Sequence, residues 1–344
     1  MNNSNRQKFF YINLLNVLSA ISVIILHTNC FWTVDVYSSR WISANIIECL
    51  FYFAVPVFFM NIGATLIDYQ DRYGTKEYFR RRINKCVIPF IAWSLIGTLF
   101  SVFKNDFAIP SLTTVLNEIL NANAMSVYWF FLPLFGIYLS IPVLAAIDKE
   151  KRIATMKYAA IFGFIFNILL PFVNRYSALN IASVSVSIVS GYLFYVSIGY
   201  VLSHSETINH MGIMIVLGIT GLLIHIIGTY NLSIKSGHID QTYKGYLSLP
   251  CVLYSVCIYL LGKRAGEKLN NKERFKKVIN YLSKYTFAMY LIHLFIIQLS
   301  FHFFKFDTTS LIFRLFYPFV VAIICVFITN ITRRIPILRR IVPE

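Results

Sequence analysis

His27 stands near the far end of the first long apolar run, which reads Phe9-Phe10-Tyr11-Ile12-Asn13-Leu14-Leu15-Asn16-Val17-Leu18-Ser19-Ala20-Ile21-Ser22-Val23-Ile24-Ile25-Leu26. A run of that length can cross a bilayer, and a titratable imidazole inside one is costly unless it is used. About 18 residues at about 1.5 Å rise put His27 about 27 Å along a helix, near the interface opposite the chain start. Its side-chain type suits proton transfer near neutral pH. Glu48 opens the next apolar run at a similar depth, so the two could act as a base and its orienting carboxylate. The competing reading of Glu48 is a carboxylate that simply faces interfacial water.

Three other groups could do chemistry. His293 lies in the run Tyr285–Gln298, about 8 residues and about 12 Å from its start. Near mid-membrane an imidazole should face a polar cavity or a partner helix, so His293 joins His27 and Glu48 as a candidate catalytic residue. His225 and His302 read as structural or interfacial. Asn13 and Asn16, three apart, share one helical face, and their amides could bind a ligand or hold helices together. Arg80-Arg81-Arg82 precedes another apolar run; topogenic charge accounts for it, and guanidinium forks also suit phosphate.

The elements that must position these groups are transmembrane helices. The 344 residues are 57% hydrophobic and 13% charged, with mean hydropathy +0.65; soluble domains carry about 25% charged residues. Lipid must therefore be the solvent for much of the chain. Candidate spans are 9–32, 44–68, 86–103, 126–147, 158–173, 182–202, 211–230, 246–262, 285–303 and 311–330, about ten in all, with 158–173 and 246–262 short enough to be tilted or broken. The fold class is an all-α integral membrane protein, one domain over 1–344. A short basic lead (Arg6, Lys8) and the length of the first run read as a retained helix rather than a signal peptide.

Charge orients the spans. The net charge is +16, but Lys and Arg cluster in short segments between apolar runs and form no continuous basic face, which argues against nucleic acid. One side carries 24 of the 31 Lys and Arg residues: the N-terminal lead, the segments 72–85, 149–157 and 263–284, and the C-terminal tail. By the positive-inside rule both termini are cytoplasmic. The segment 263–284 looks like an amphipathic piece that could rest on anionic lipid. The six cysteines show no CxxC or Cys/His metal spacing and read as small hydrophobes; no metal is expected. Residue chemistry alone leaves a membrane enzyme and a transporter both open.

Five segments, in order, resemble the membrane-bound acyltransferase 3 family. They are Tyr11-Ile12-Asn13-Leu14-Leu15-Asn16 leading to Ile25-Leu26-His27; Val55-Pro56-Val57-Phe58-Phe59-Met60-Asn61-Ile62-Gly63; and Phe79-Arg80-Arg81-Arg82-Ile83 with Ile88-Pro89-Phe90 and Trp93-Ser94. Tyr128-Trp129-Phe130-Phe131 through Pro142-Val143-Leu144 and Leu282-Ser283-Lys284-Tyr285 through Tyr290-Leu291-Ile292-His293 complete the set. The resemblance implies O-acyl transfer, with acetyl-CoA as the commonest donor, bound on the cytoplasmic side. It implies an acceptor on the outer face, a cell-surface polysaccharide or its lipid-linked precursor, in the cytoplasmic membrane of a bacterium. It makes His27 the general base and Arg80 and Arg82 ligands of the donor's phosphates. The position of the family's donor-site Arg, eleven before His27, holds Asn16. Two further departures are Val127 where the family often has His and Asn61 where Ser is usual. The alternative is a transporter or acyl-translocating protein on the same scaffold without transfer chemistry.

Overall fold

A computed structural model describes residues 3–105, 110–176, 191–205 and 210–344. Inside a bilayer no water satisfies backbone N–H and C=O groups, so apolar runs of this length must coil into helices. In chain order they are α1 (Asn3–Thr28), α2 (Ser39–Phe51), α3 (Ala54–Leu66), α4 (Thr75–Arg82), α5 (Ile88–Asn105), α6 (Leu112–Leu120), α7 (Phe131–Ala145) and α8 (Lys149–Phe164). The rest are α9 (Leu170–Tyr176), α10 (Leu193–His204), α11 (Met211–Ser236), α12 (Leu249–Leu269), α13 (Glu273–Ser283), α14 (Thr286–Phe303) and α15 (Leu311–Arg334). Among the described residues eight helical stretches are long and apolar enough to cross a membrane, and Leu193–His204 is a shorter apolar helix. The protein is an all-α, multi-pass integral membrane protein.

The sequence predicts about ten spans; among the described residues eight stretches qualify, α10 being short and α12 not among them, and the other spans differ at their ends. Two are helices that run straight out of the apolar core into charged turns. Lys149–Tyr176 begins within a basic segment expected to connect spans, and Thr75–Lys104 carries the Arg80–Arg82 cluster on its first helical turns. Both pass through one turn of π-helix, Ile83–Val87 and Ile165–Leu169, so the segment expected near 158–173 is long with an irregular middle rather than short. The span expected over 246–262 is α12, with Pro250 in its first turn, where a missing N–H costs nothing. The first part of the span expected over 182–202 lies outside the described residues; α10 is its second part.

The chain packs as two compact units, each gathered from three separate stretches. The first comprises Met1–Ile67, Ile147–Ser283 and Asp307–Phe319, and the second Asp68–Ala146, Lys284–Phe306 and Val320–Glu344.

In the first unit, α3 and α10 cross at unusually short range. A Cβ on Gly63 would stand 1.9 Å from the Val196 carbonyl oxygen, and one on Gly199 would stand 2.0 Å from that of Met60. Small residues let membrane helices approach backbone to backbone, where dispersion replaces the missing hydrophobic drive. Gly63→Ala therefore meets backbone that cannot rotate aside. It should destabilise the protein by about 1–3 kcal/mol, read as a lowered melting temperature in lipid nanodiscs. α13 does not merely lie at a surface: Ile279 is buried with Phe10 and Val17 of α1, and Asn13 Nδ2 donates to Asn280 Oδ1 at 3.0 Å.

In the second unit, two tyrosines tie the start of α7 to α14. The Tyr128 hydroxyl donates to the Leu291 carbonyl at 3.0 Å, and the Tyr290 hydroxyl donates to that of Val127. The C-terminal tail folds back onto the same unit. Arg333 donates to the carbonyls of Lys284, Val342 and Pro343, each at 2.8 Å, and the Trp93 indole donates to Ile341 at 2.9 Å.

Candidate active site

The first unit gathers a chain of polar side chains at one end. α1 closes at Thr28, and the following segment carries Asn29, Phe31 and Trp32 toward α2. Ser38 starts α2 by accepting from the Arg40 backbone N–H. That register turns Asn45 and Glu48 into the helix packing while leaving Ile42, Ile46 and Leu50 outside. The segment between α11 and α12 delivers Lys244, and the first turns of α15 deliver Arg314. By the charge count, this is the end expected to face away from the cytoplasm.

Glu48 is 3% exposed and its carboxylate is engaged on both oxygens. Lys244 Nζ lies 2.9 Å from Oε1, and Asn29 Nδ2 donates to Oε2 at 3.2 Å. The competing expectation, that Glu48 simply faces interfacial water, is thereby corrected: α2 turns it inward, where an ammonium neutralises it. Lys244 is itself 2% exposed and sits among three rings, with Tyr52, Trp32 and Phe31 centroids 4.0, 4.8 and 5.1 Å from Nζ. Ring faces carry negative potential, so the cage stabilises the cation beyond its ion pair.

Asn29 extends the network. Its Nδ2 also donates to the Ala44 carbonyl at 2.8 Å, and its Oδ1 accepts from Arg314 Nη1 at 3.3 Å. Arg314, 1% exposed, further donates through Nη2 to Ser43 Oγ at 2.7 Å and to the Thr309 carbonyl at 3.2 Å. Two cations and one carboxylate are thus buried around one carboxamide. Removing a partner from such a set leaves an uncompensated buried charge, the costly case.

His27 occupies the last turn of α1, two residues before Asn29, and its side chain is exposed. The network therefore fixes the backbone on which His27 stands while the imidazole stays accessible. Trp41 reinforces this end: it stacks between Phe31 and Tyr230 at 5.5 and 6.1 Å, and its indole donates to the Phe31 carbonyl at 3.1 Å. His225, on α11, is fully buried with its ring edge-on to Tyr52 at 5.6 Å, as a packing residue would be.

Asn16 is paired within the same unit. Its Oδ1 accepts from Asn61 Nδ2 at 2.9 Å, which links α1 to α3 through two of the positions that depart from the family pattern.

The remaining candidates belong to the second unit. Arg80 and Arg81 both donate to Glu77, at 2.7 and 2.8 Å. Glu77 thereby offsets part of the charge that the arginine triplet shows in the sequence. Arg82 lies instead against the Tyr78 and Tyr138 rings, 5.7 and 5.5 Å from their centroids. His293 is fully buried on α14, and its Nδ1 bonds the Met289 carbonyl at 2.9 Å. A carbonyl can only accept, so Nδ1 carries a proton and donates it to that bond.

Sequence reasoning missed Asn29, Lys244 and Arg314. A signal for two of them was present: only seven Lys and Arg residues fall on the cation-poor side, and these two are the buried ones among them. A cation that topology does not explain calls for a structural reason.

This is the site of a multi-pass membrane protein with an accessible imidazole over a buried ionic network. Comparison with known families matches residues 9–330 to the acyltransferase domain of the acyltransferase 3 type. The chain belongs to that family. No curated protein and no solved structure matches it.

Proposed function

We propose that this membrane acyltransferase moves an acetyl group from cytoplasmic acetyl-CoA to a hydroxyl of a cell-surface polysaccharide or its lipid-linked precursor, in the cytoplasmic membrane of a bacterium. The observation that carries the reading is His27: exposed on the last turn of α1, next to a network that holds that turn in place. In the reaction His27 takes the proton of the acceptor hydroxyl as its oxygen attacks the thioester carbonyl carbon. The carbon–sulfur bond breaks, CoA leaves as the thiolate, and an ester remains on the acceptor. Glu48 serves as a positioning residue through Asn29. His293, with Nδ1 protonated, offers Nε2 as a second base or acceptor. Arg80 and Arg82 would meet the phosphates of the donor, and Asn16 would sit where the family's donor-site Arg stands.

The test compares purified surface glycan from cells with and without the gene. The expected result is a loss of about 42 Da per acetylated residue on deletion, the mass of an acetyl group replacing a proton, and its return on complementation. Unchanged glycan and lipid-linked precursor masses would sink the acceptor assignment.

A further inference from the structure

We infer that a polar cavity in the first unit is the acceptor-sugar site, and that it takes a neutral polyhydroxylated ring. This rests on the reading just given and names where its acceptor binds. The cavity, of about 560 Å³, lies between the α8–α9 end and the segment joining α11 to α12. That volume is in the range that holds a small organic ligand. Asn167, Arg175, His238 and Asp240 bring donors and acceptors to its wall, and Phe172 and Tyr176 bring ring faces.

The lining decides the ligand class. A hydrocarbon chain would strip water from the charged heads of Arg175 and Asp240, which costs far more than it gains. A phosphate would meet the Asp240 carboxylate. A sugar ring suits both halves, because its hydroxyls pair with amide, guanidinium and carboxylate while its C–H face lies on an aromatic ring. The aromatic wall is stiff: Tyr176 stacks on Tyr243 at 5.1 Å with 9° between planes.

The same short segment joins cavity to candidate base. Asp240 is pinned where its backbone N–H meets Ser233 Oγ at 2.9 Å and its carboxylate accepts from the Thr242 N–H at 2.8 Å. The Lys244 N–H then closes a turn on the Gln241 carbonyl at 2.9 Å, and the Lys244 side chain points away to Glu48 at 2.9 Å. Glu48 holds Asn29, two residues from His27. The segment that lines the cavity at Asp240 thus also carries the lysine that anchors Glu48.

The experiment fills the cavity without knowing the sugar. All six native cysteines are buried, so a membrane-impermeant maleimide should spare the wild-type chain. Full-length Gln241→Cys is labelled in spheroplasts, which contain the native acceptor, and glycan O-acylation is read before and after labelling. Thr242→Cys serves as the second variant, and Lys235→Cys, outside the cavity, as the labelled control. The expected result is a fall of about tenfold or more on labelling at 241 or 242, with none at 235. Full modification at 241 and 242, verified by mass, with acylation retained would overturn the assignment. If wild-type cells acylate no glycan at all, the functional reading itself fails instead. Soluble glycosides and polyprenyl-linked sugar, added separately to protect the thiol of the Gln241→Cys variant from labelling, distinguish the two sources of acceptor; protection by either supports the site, and by neither removes it.

Discussion

His27→Ala should lower glycan O-acylation by on the order of a hundredfold to ten-thousandfold, the usual range for removing a general base. The side chain is exposed on the last turn of α1, so little packing is lost and the protein should insert and melt as the wild type does. That separation is the value of the variant. The measurement is the ester content of purified surface glycan at matched protein level, with melting temperature in nanodiscs as the fold control. Retained acylation at equal expression would remove His27 from the chemistry and leave it as an interfacial residue.

Lys244→Met carries the opposite signature. It removes the cation paired with the 3%-exposed Glu48 carboxylate and empties an aromatic cage. Breaking a buried ion pair from one side costs about 3–5 kcal/mol, because the remaining charge stays desolvated. The double variant Glu48→Gln/Lys244→Met should recover a large part of that loss, since no charge is then stranded and Gln can still accept from Asn29. Thermal unfolding of the two single variants and the double, run as a cycle, reads the coupling directly. Equal melting of Lys244→Met and wild type would show that water reaches the pair and that the network does not fix this end.

The class of fold was legible because lipid imposes it. Apolar runs of span length have no alternative to helix, and charge asymmetry orients them without reference to packing. The ends of the spans were less legible for a physical reason. Helices such as α8 and α4 continue through Lys149–Arg152 and Arg80–Arg82, because those residues are good helix formers once outside the hydrocarbon. Hydropathy marks where lipid stops, and the hydrogen-bonded helix does not stop with it.

At the site, residue type pointed to His27 and Glu48, but depth along separate helices could not say which way Glu48 faces. That depends on the rotation of α2, which is set by Ser38 at its start and by Trp41 between two rings. Lys244 reaches Glu48 from far along the sequence, and Arg314 reaches Asn29 across 285 residues. No local pattern encodes such pairings. The Asn16–Asn61 bond shows the same limit from another angle. Each residue, taken singly, is a departure from the family pattern; together they are one contact between α1 and α3.

The buried network also has a place in time. A membrane chain is made from its N-terminus, so Asn29, Ser43 and Glu48 enter the bilayer long before Lys244 exists, and Arg314 follows only near the end. Until then the carboxylate has no ammonium and the Asn29 amide no guanidinium. The end of α1 that carries His27 therefore acquires its final form only when α15 arrives. A chain interrupted earlier would hold the imidazole without the ionic frame around it, so this end of α1 is among the last parts of the first unit that biosynthesis completes.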